Sequence, residues 1–158
     1  MTPGHAQIIR RETALSVVIN IAISVAMFAL VFGFSGPAAV RGPRGLAFDF
    51  LPQAFMVALM GSLVPALVFA SRQNVLPCVQ FAKLSGKTAI AARAMLVAVV
   101  AALALGGAAL GVLYMTGMAT MPPLAGAGFK MLFGGAVALL VTPRSLHHVL
   151  SAAPAAQG

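Results

Sequence analysis

The sequence predicts an all-α integral membrane protein, a four-helix bundle with both termini on the same side of the bilayer. Three observations predict it. Hydrophobic residues make up 61% of the chain and charged residues 8%, with a mean hydropathy of +1.02, whereas about a quarter of the residues of a soluble domain are charged. Four apolar runs, at about 13–34, 52–70, 94–115 and 124–142, are each long enough to cross roughly 30 Å of hydrocarbon. The basic residues sort by connector: Arg10, Arg11, Arg72, Lys83, Lys87, Arg93 and Arg144, seven in all, fall on the side of the termini, against Arg41 and Arg44 on the other. By the positive-inside rule both termini are expected to be cytoplasmic. The Ala, Gly and Arg content fits a bacterial inner (plasma) membrane.

The net charge of +8 could suggest nucleic acid, but the basic residues are spread along the flanks of apolar runs without a dense cluster. They read as topology signals and headgroup contacts, and no nucleic-acid partner is expected. Cys78 is the single cysteine, so no intrachain disulfide forms. With no Trp and one Tyr, Phe must supply much of the interfacial anchoring.

The first run follows a short polar head ending in Arg10, Arg11 and Glu12. Its apolar core is longer than the roughly 7 to 15 residues of a signal peptide, which predicts an uncleaved helix. Glu12, Ser16, Asn20 and Ser24 recur every four residues and so form one polar stripe on that helix. Such a stripe is either glue between helices or the lining of a hydrated path.

Residues 35–51 are dense in turn signals, with Gly36-Pro37 and Gly42-Pro43. Asp49 is expected to cap the second helix, with Pro52 in its first turn, where a missing N–H costs little. The connector at 71–92 is basic, and Val75, Leu76, Val79, Phe81 and Leu84 suggest that part of it lies on the membrane surface.

The third run is small and aliphatic. Ala94, Ala98, Ala102 and Gly106 form a row, and Gly107 with Gly111 makes a GxxxG pair, which predicts a central helix closely packed by its neighbours. Pro143-Arg144 is expected to stop the fourth helix and leave residues 145–158 as a mobile tail. The whole chain is then one membrane domain, divisible into two helix hairpins, 13–72 and 94–144, whose exits VPALVFASR and VALLVTPR are alike.

The fourth run carries the odd residue. Lys130 lies inside it, in a row with Gly126, Gly134, Ala138 and Thr142 spaced by four, so one helix face combines a charge with small residues. An ammonium in hydrocarbon costs a few kcal/mol even where it can snorkel, so it needs water or a partner. Three fates are open: snorkelling to the nearer edge, an ion pair with Asp49, or a fixed positive site for an anion or proton relay with Asn20, Ser24 and Gln53 as neighbours.

Chemistry beyond this is sparse. Glu12 and Asp49 are the two acidic residues and fall on opposite sides of the membrane, so no carboxylate pair serves general acid/base work and no carboxylate-rich metal site forms. No histidine accompanies a serine within a span, and His147-His148 lies beyond the last one. No enzyme activity and no cofactor are expected. Met115, Met118 and Met121, three apart, offer soft thioethers that suit Cu(I), although methionine also fills irregular packing near helix ends.

Residues 13–72, with Met27 in the first helix, Gly33 and Gly36 at the turn, FLPQAF entering the second helix and VPALVFASR leaving it, resemble a class of small bacterial two-helix-hairpin membrane proteins without assigned function. The resemblance implies membrane residence and no reaction, so it brings no catalytic residue. Its members carry a tryptophan entering the second helix, which this chain lacks.

The leading expectation is a non-enzymatic accessory, structural or assembly component that packs against itself or another membrane protein. The alternative is a small transporter or channel subunit, anion or proton coupled, working through Lys130. Cu(I) handling through the three methionines is the third.

Overall fold

The computed structural model describes residues 3–73, 78–79, 84–85 and 87–152. Long helices dominate because every backbone group in hydrocarbon must be satisfied within its own segment. They are α1 (Pro3–Val31), α2 (Leu46–Gln73), a third span made of α3 (Lys87–Ala101), a π-helical turn (Ala102–Gly106) and α4 (Gly107–Met115), and α5 (Pro123–Ala152). Among the described residues, the stretches long and apolar enough to cross a membrane are Ile9–Val31, Leu46–Val68, Lys87–Met115 and Pro123–His147. The protein is thus an all-α membrane bundle of four helices.

Two short strands, β1 (Ala38–Ala39) and β4 (Thr120–Met121), pair antiparallel. One lies in the loop after α1 and the other in the loop after α4, so both loops sit at one end of the bundle and the termini at the other. This ribbon end holds the largest cluster of buried apolar residues among those described. Phe28, Val40, Leu46 and Phe50 are fully buried there beside Met121 and Ala127, and Phe50 meets Phe133 edge-on at 4.8 Å between centroids. Arg41 donates to the Tyr114 carbonyl at 3.2 Å and tethers the first loop to the end of α4.

In space the helices run in the order α1, α5, α2, third span. α5 packs along both α1 and α2, α2 packs along the third span, and α1 meets α2 only briefly. The third span is therefore an edge of the bundle, which corrects the central position expected for it. Its row of small residues does pack on α2, through Ala94, Ala98, Ala101 and Gly106. The π turn resets the row from Ala98 to Ala101 and Gly106, with the Gly107 N–H reaching back to the Ala102 carbonyl.

Other boundaries move as well. α1 begins about ten residues before the expected start at 13 and ends at Val31 rather than 34; Gly33, at φ +68°, closes it by donating to the carbonyls of Phe28 and Ala29. α2 begins at Leu46 because Leu46, Ala47 and Phe50 enter the core. Asp49 is consequently inside its first turn and not its cap, and α2 runs on through Pro52 and Pro65. α5 likewise continues through Pro143 to Ala152, since Ser145 and Leu146 are buried by the bundle. The expected tail from 145 is helical to Ala152, and residues 153–158 lie outside the described residues. So do Val75, Leu76 and Phe81 of the connector, in which β2 (Cys78–Val79) pairs with β3 (Leu84–Ser85).

Candidate functional site

Asn20, Ser24, Lys130 and Thr142, four of the buried polar side chains of the spans, converge on one seam. Spacing by four puts Ser16, Asn20 and Ser24 along one face of α1, and the same spacing puts Gly126, Lys130, Gly134, Ala138 and Thr142 along one face of α5, buried throughout. The two faces meet. A methyl group at Gly134 would lie 2.5 Å from the Ser24 Oγ and 3.2 Å from the Gln53 Nε2, so only glycine admits the contact.

Hydrogen bonds follow the seam from end to end. Ser16 Oγ and Thr142 Oγ1 are 3.0 Å apart. Asn20 Nδ2 donates to the Ser16 carbonyl at 2.7 Å, and Ser24 Oγ donates to the Asn20 carbonyl at 2.7 Å. Gln53 Nε2, from α2, donates to Ser24 Oγ at 2.8 Å and to the Lys130 carbonyl at 3.1 Å, tying three helices at one level. Because a backbone carbonyl only accepts, this bond fixes which end of the Gln53 amide faces it. Its Oε1 is left buried and unpaired among the described residues. Thr13 Oγ1, at the terminal end, is in the same state.

Lys130 is 1% exposed. Its Nζ donates to Asp49 Oδ2 in an ion pair whose carboxylate side is 26% exposed. The ammonium also lies 5.8 Å from the centroid of the Phe32 ring, within cation–π range. Of the three fates open to the lysine, the fold takes the ion pair. Asp49 serves because α2 starts early: on a helix from Leu46, Asp49 and Gln53 share one face and both turn to α5.

Since α1 and α2 barely touch, a cleft of about 560 Å³ remains between them, with Lys130 at its floor. Glu12 lines one end and Asp49 the other, so both acidic residues of the sequence lie on it. Ser16, Asn20, Ser24 and Gln53 also line it, and the rest of its wall is apolar. The lips, Leu15, Ile19, Ile23, Met27, Met56, Met60 and Val64, are about half exposed. Neither the sequence stripe nor the lysine row announced this cleft, because it is made by a contact that α1 and α2 do not form.

The remaining candidates separate. Gly106 packs closely, an added methyl there lying 2.9 Å from the Phe50 carbonyl oxygen and 3.0 Å from the Leu51 Cα. Gly107 and Gly111 face open space, with nothing within 4 Å, which corrects the packing role expected of them inside the bundle. The three methionines do not share an environment: Met115 is 89% exposed, whereas Met121 is 9% exposed within the ribbon-end core. Among the described residues no cluster of His, Cys, Asp and Glu could hold a metal ion.

No family model, no curated protein and no solved structure matches the chain.

Proposed function

We propose that the chain is a non-enzymatic accessory or assembly component of a bacterial inner membrane, with both termini cytoplasmic. One observation carries the reading: Lys130, the cation inside the spans at the seam, is buried and neutralised by Asp49, and the stripe of α1 is joined to α5 through Ser16 and to α2 through Ser24. Groups engaged in this way hold helices in register. Glu12 and Asp49, at opposite ends of the cleft, do not form a catalytic pair. The resemblance of residues 13–72 to hairpin proteins of the membrane agrees with this and adds no reaction.

An assembly component needs a face for its partner. Gly107 and Gly111 leave α4 open on the edge of the bundle, where a helix of a second copy or of another membrane protein could approach closely. The test is chemical cross-linking in native membranes of the wild type and of Gly107→Leu with Gly111→Leu. Loss of cross-linked species with unchanged unfolding of the isolated chain supports the reading, and unchanged cross-linking overturns it. A cross-linked mass that is a multiple of the chain identifies self-association, any other mass a different protein.

A second reading, transport through Lys130, is favoured by the cleft itself, which joins Glu12 to Asp49 past the lysine. The two readings part on removal of the ion pair. With Lys130→Met and Asp49→Leu together, proton flux into dye-loaded proteoliposomes is lost if the protein transports, and cross-linking is retained if it assembles. The sidedness of the termini is read from cysteines placed at residues 5 and 147 in a Cys78→Ser background, both labelled only after the cytoplasmic face is opened.

A further inference from the structure

The cleft between α1 and α2 has a shape and a polarity that neither assembly nor helix packing uses. It cannot enclose a helix: a cylinder 10 to 12 Å across running the roughly 24 Å from Asp49 to Pro65 takes on the order of 2,000 Å³, several times the 560 Å³ present. A single hydrocarbon chain is the right size, since sixteen methylenes, each about as large as a water molecule at roughly 30 Å³, fill about 480 Å³. The lips suit such a guest, because Met27, Met56 and Met60 are flexible and adapt to an irregular chain.

Polar groups on the cleft are uneven. Near its ribbon end Asp49 is partly exposed, and a carboxylate with two oxygens accepts more than the one bond from Lys130. One turn deeper, Gln53 lines the cleft with the carbonyl of its amide unpaired. Lys130 keeps further N–H groups but is 1% exposed, so the free capacity open to a guest is that of the partly exposed Asp49 carboxylate, and the guest must donate. It must also be uncharged. Two carboxylates line the cleft and its one ammonium is buried and paired, which gives an anionic head nothing to bind, while a cation would compete with Lys130 for Asp49. Gln53 stands about 10 Å along the axis from the start of α2, a depth at which a charged head is costly.

We propose that this cleft binds a neutral, hydroxyl-headed membrane lipid. Its head donates to Asp49, and its chain lies between Ile23, Met27, Met56 and Met60. The site is independent of the assembly face on α4.

The experiment uses the full chain in phosphatidylcholine vesicles containing a trace of a sixteen-carbon monoacylglycerol with a photoactivatable group on its chain. A matched probe has both head hydroxyls methylated. Cross-linked residues are mapped by peptide mass spectrometry. The hydroxyl probe is expected to label the cleft lips roughly five-fold more than Leu96, Val100 and Leu103 on the lipid-facing side of the third span, and the methylated probe to lose that excess, as removal of a buried hydrogen bond implies. Met56 lines the cleft and its side chain makes no hydrogen bond among those described, so Met56→Trp, which fills the cleft, is expected to abolish the excess while leaving unfolding unchanged. Even labelling of all four spans overturns the proposal. So does equal enrichment by the methylated probe, which would mark an apolar groove without head recognition, and so does enrichment that survives Met56→Trp.

Discussion

α5 on α1 and the third span on α2 are both close helix contacts, yet they are built from different chemistry. The first joins Ser16 to Thr142, links Ser24 and Lys130 through Gln53, and fits Gly134 beneath Ser24. The second brings Ala94, Ala98, Ala101 and Gly106 against α2 with van der Waals contact alone among the interactions described, Gly106 lying against the backbone of Phe50 and Leu51. Lipid tails are as apolar as leucine, so neither contact gains from a hydrophobic effect between helices. The apolar seam depends on shape. The polar seam depends on every donor meeting its acceptor, and it fixes the register of α1 on α5 more sharply because a slip of one residue unpairs several groups at once. Aligned on Arg72 and Arg144, the two hairpins place Lys130 opposite Ala58, Gly134 opposite Ser62 and Ala138 opposite Ala66, all buried. A single charge is what distinguishes the two halves at that level.

The strongest way to break the polar seam is to orphan its charge. Asp49→Leu leaves the Lys130 ammonium buried without a partner and is expected to destabilise the fold by about 3 kcal/mol, measured by unfolding in mixed micelles. Lys130→Met leaves Asp49 at a partly open position, so its cost is smaller, about 1 to 2 kcal/mol. Both substitutions together should restore stability to within about 1 kcal/mol of the wild type, because two apolar side chains replace a desolvated pair. A double variant as unstable as Asp49→Leu would show that the pair holds the fold by more than mutual neutralisation.

The apolar seam is tested by two adjacent glycines. At Gly106 an added methyl meets backbone atoms of α2 that cannot yield, and Gly106→Ala is expected to cost about 1 to 3 kcal/mol. At Gly107 it meets nothing, so Gly107→Ala is expected to stabilise the isolated chain by about 0.5 to 1 kcal/mol through the entropy of the unfolded state. Opposite signs at neighbouring positions would locate the edge of the bundle to one residue; equal signs would put the third span elsewhere.

These two seams were unequally legible in the sequence. The rows on α1 and α5 could be read because spacing by four is a property of the helix alone, and a lysine among glycines has few ways to be satisfied. The row from Ala94 to Gly106 could be read as well, but not which neighbour it meets: in a helix this rich in alanine every face is small, so Gly107 and Gly111 looked as suited to packing as Gly106 did. The π turn that aims Gly106 at α2 has no local signal in Ala-Leu-Ala-Leu-Gly. Helix ends failed for a related reason. Pro143 has a strong local preference to end a helix, and burial of Ser145 and Leu146 overrides it through contacts that are distant in sequence. The cleft was invisible because it arises from the spatial order of the helices, α5 standing between α1 and α2 at the cost of their own contact.

The smallest expected effect sharpens the comparison most, because it asks whether the polar seam is held by one bond or by all of them. Ser16 Oγ lies 3.0 Å from Thr142 Oγ1 and also accepts from Asn20 Nδ2 at 3.3 Å, so Ser16→Ala removes two partners where Thr142→Val removes one. In a double-mutant cycle the shared term isolates the Ser16–Thr142 bond, expected at about 0.6 kcal/mol as for other hydrogen bonds between membrane helices. Gly61 stands beside Thr142, an added methyl there lying 3.0 Å from the Thr142 Oγ1, so the hydroxyl sits close against α2. A coupling near zero would then mean that the seam's specificity resides at the Lys130 level, where Gln53 and Asp49 both act, and that the terminal half of α1 is held by packing alone. A coupling near the expected value would mean that register is set along the whole length of α1, from Ser16 to Ser24.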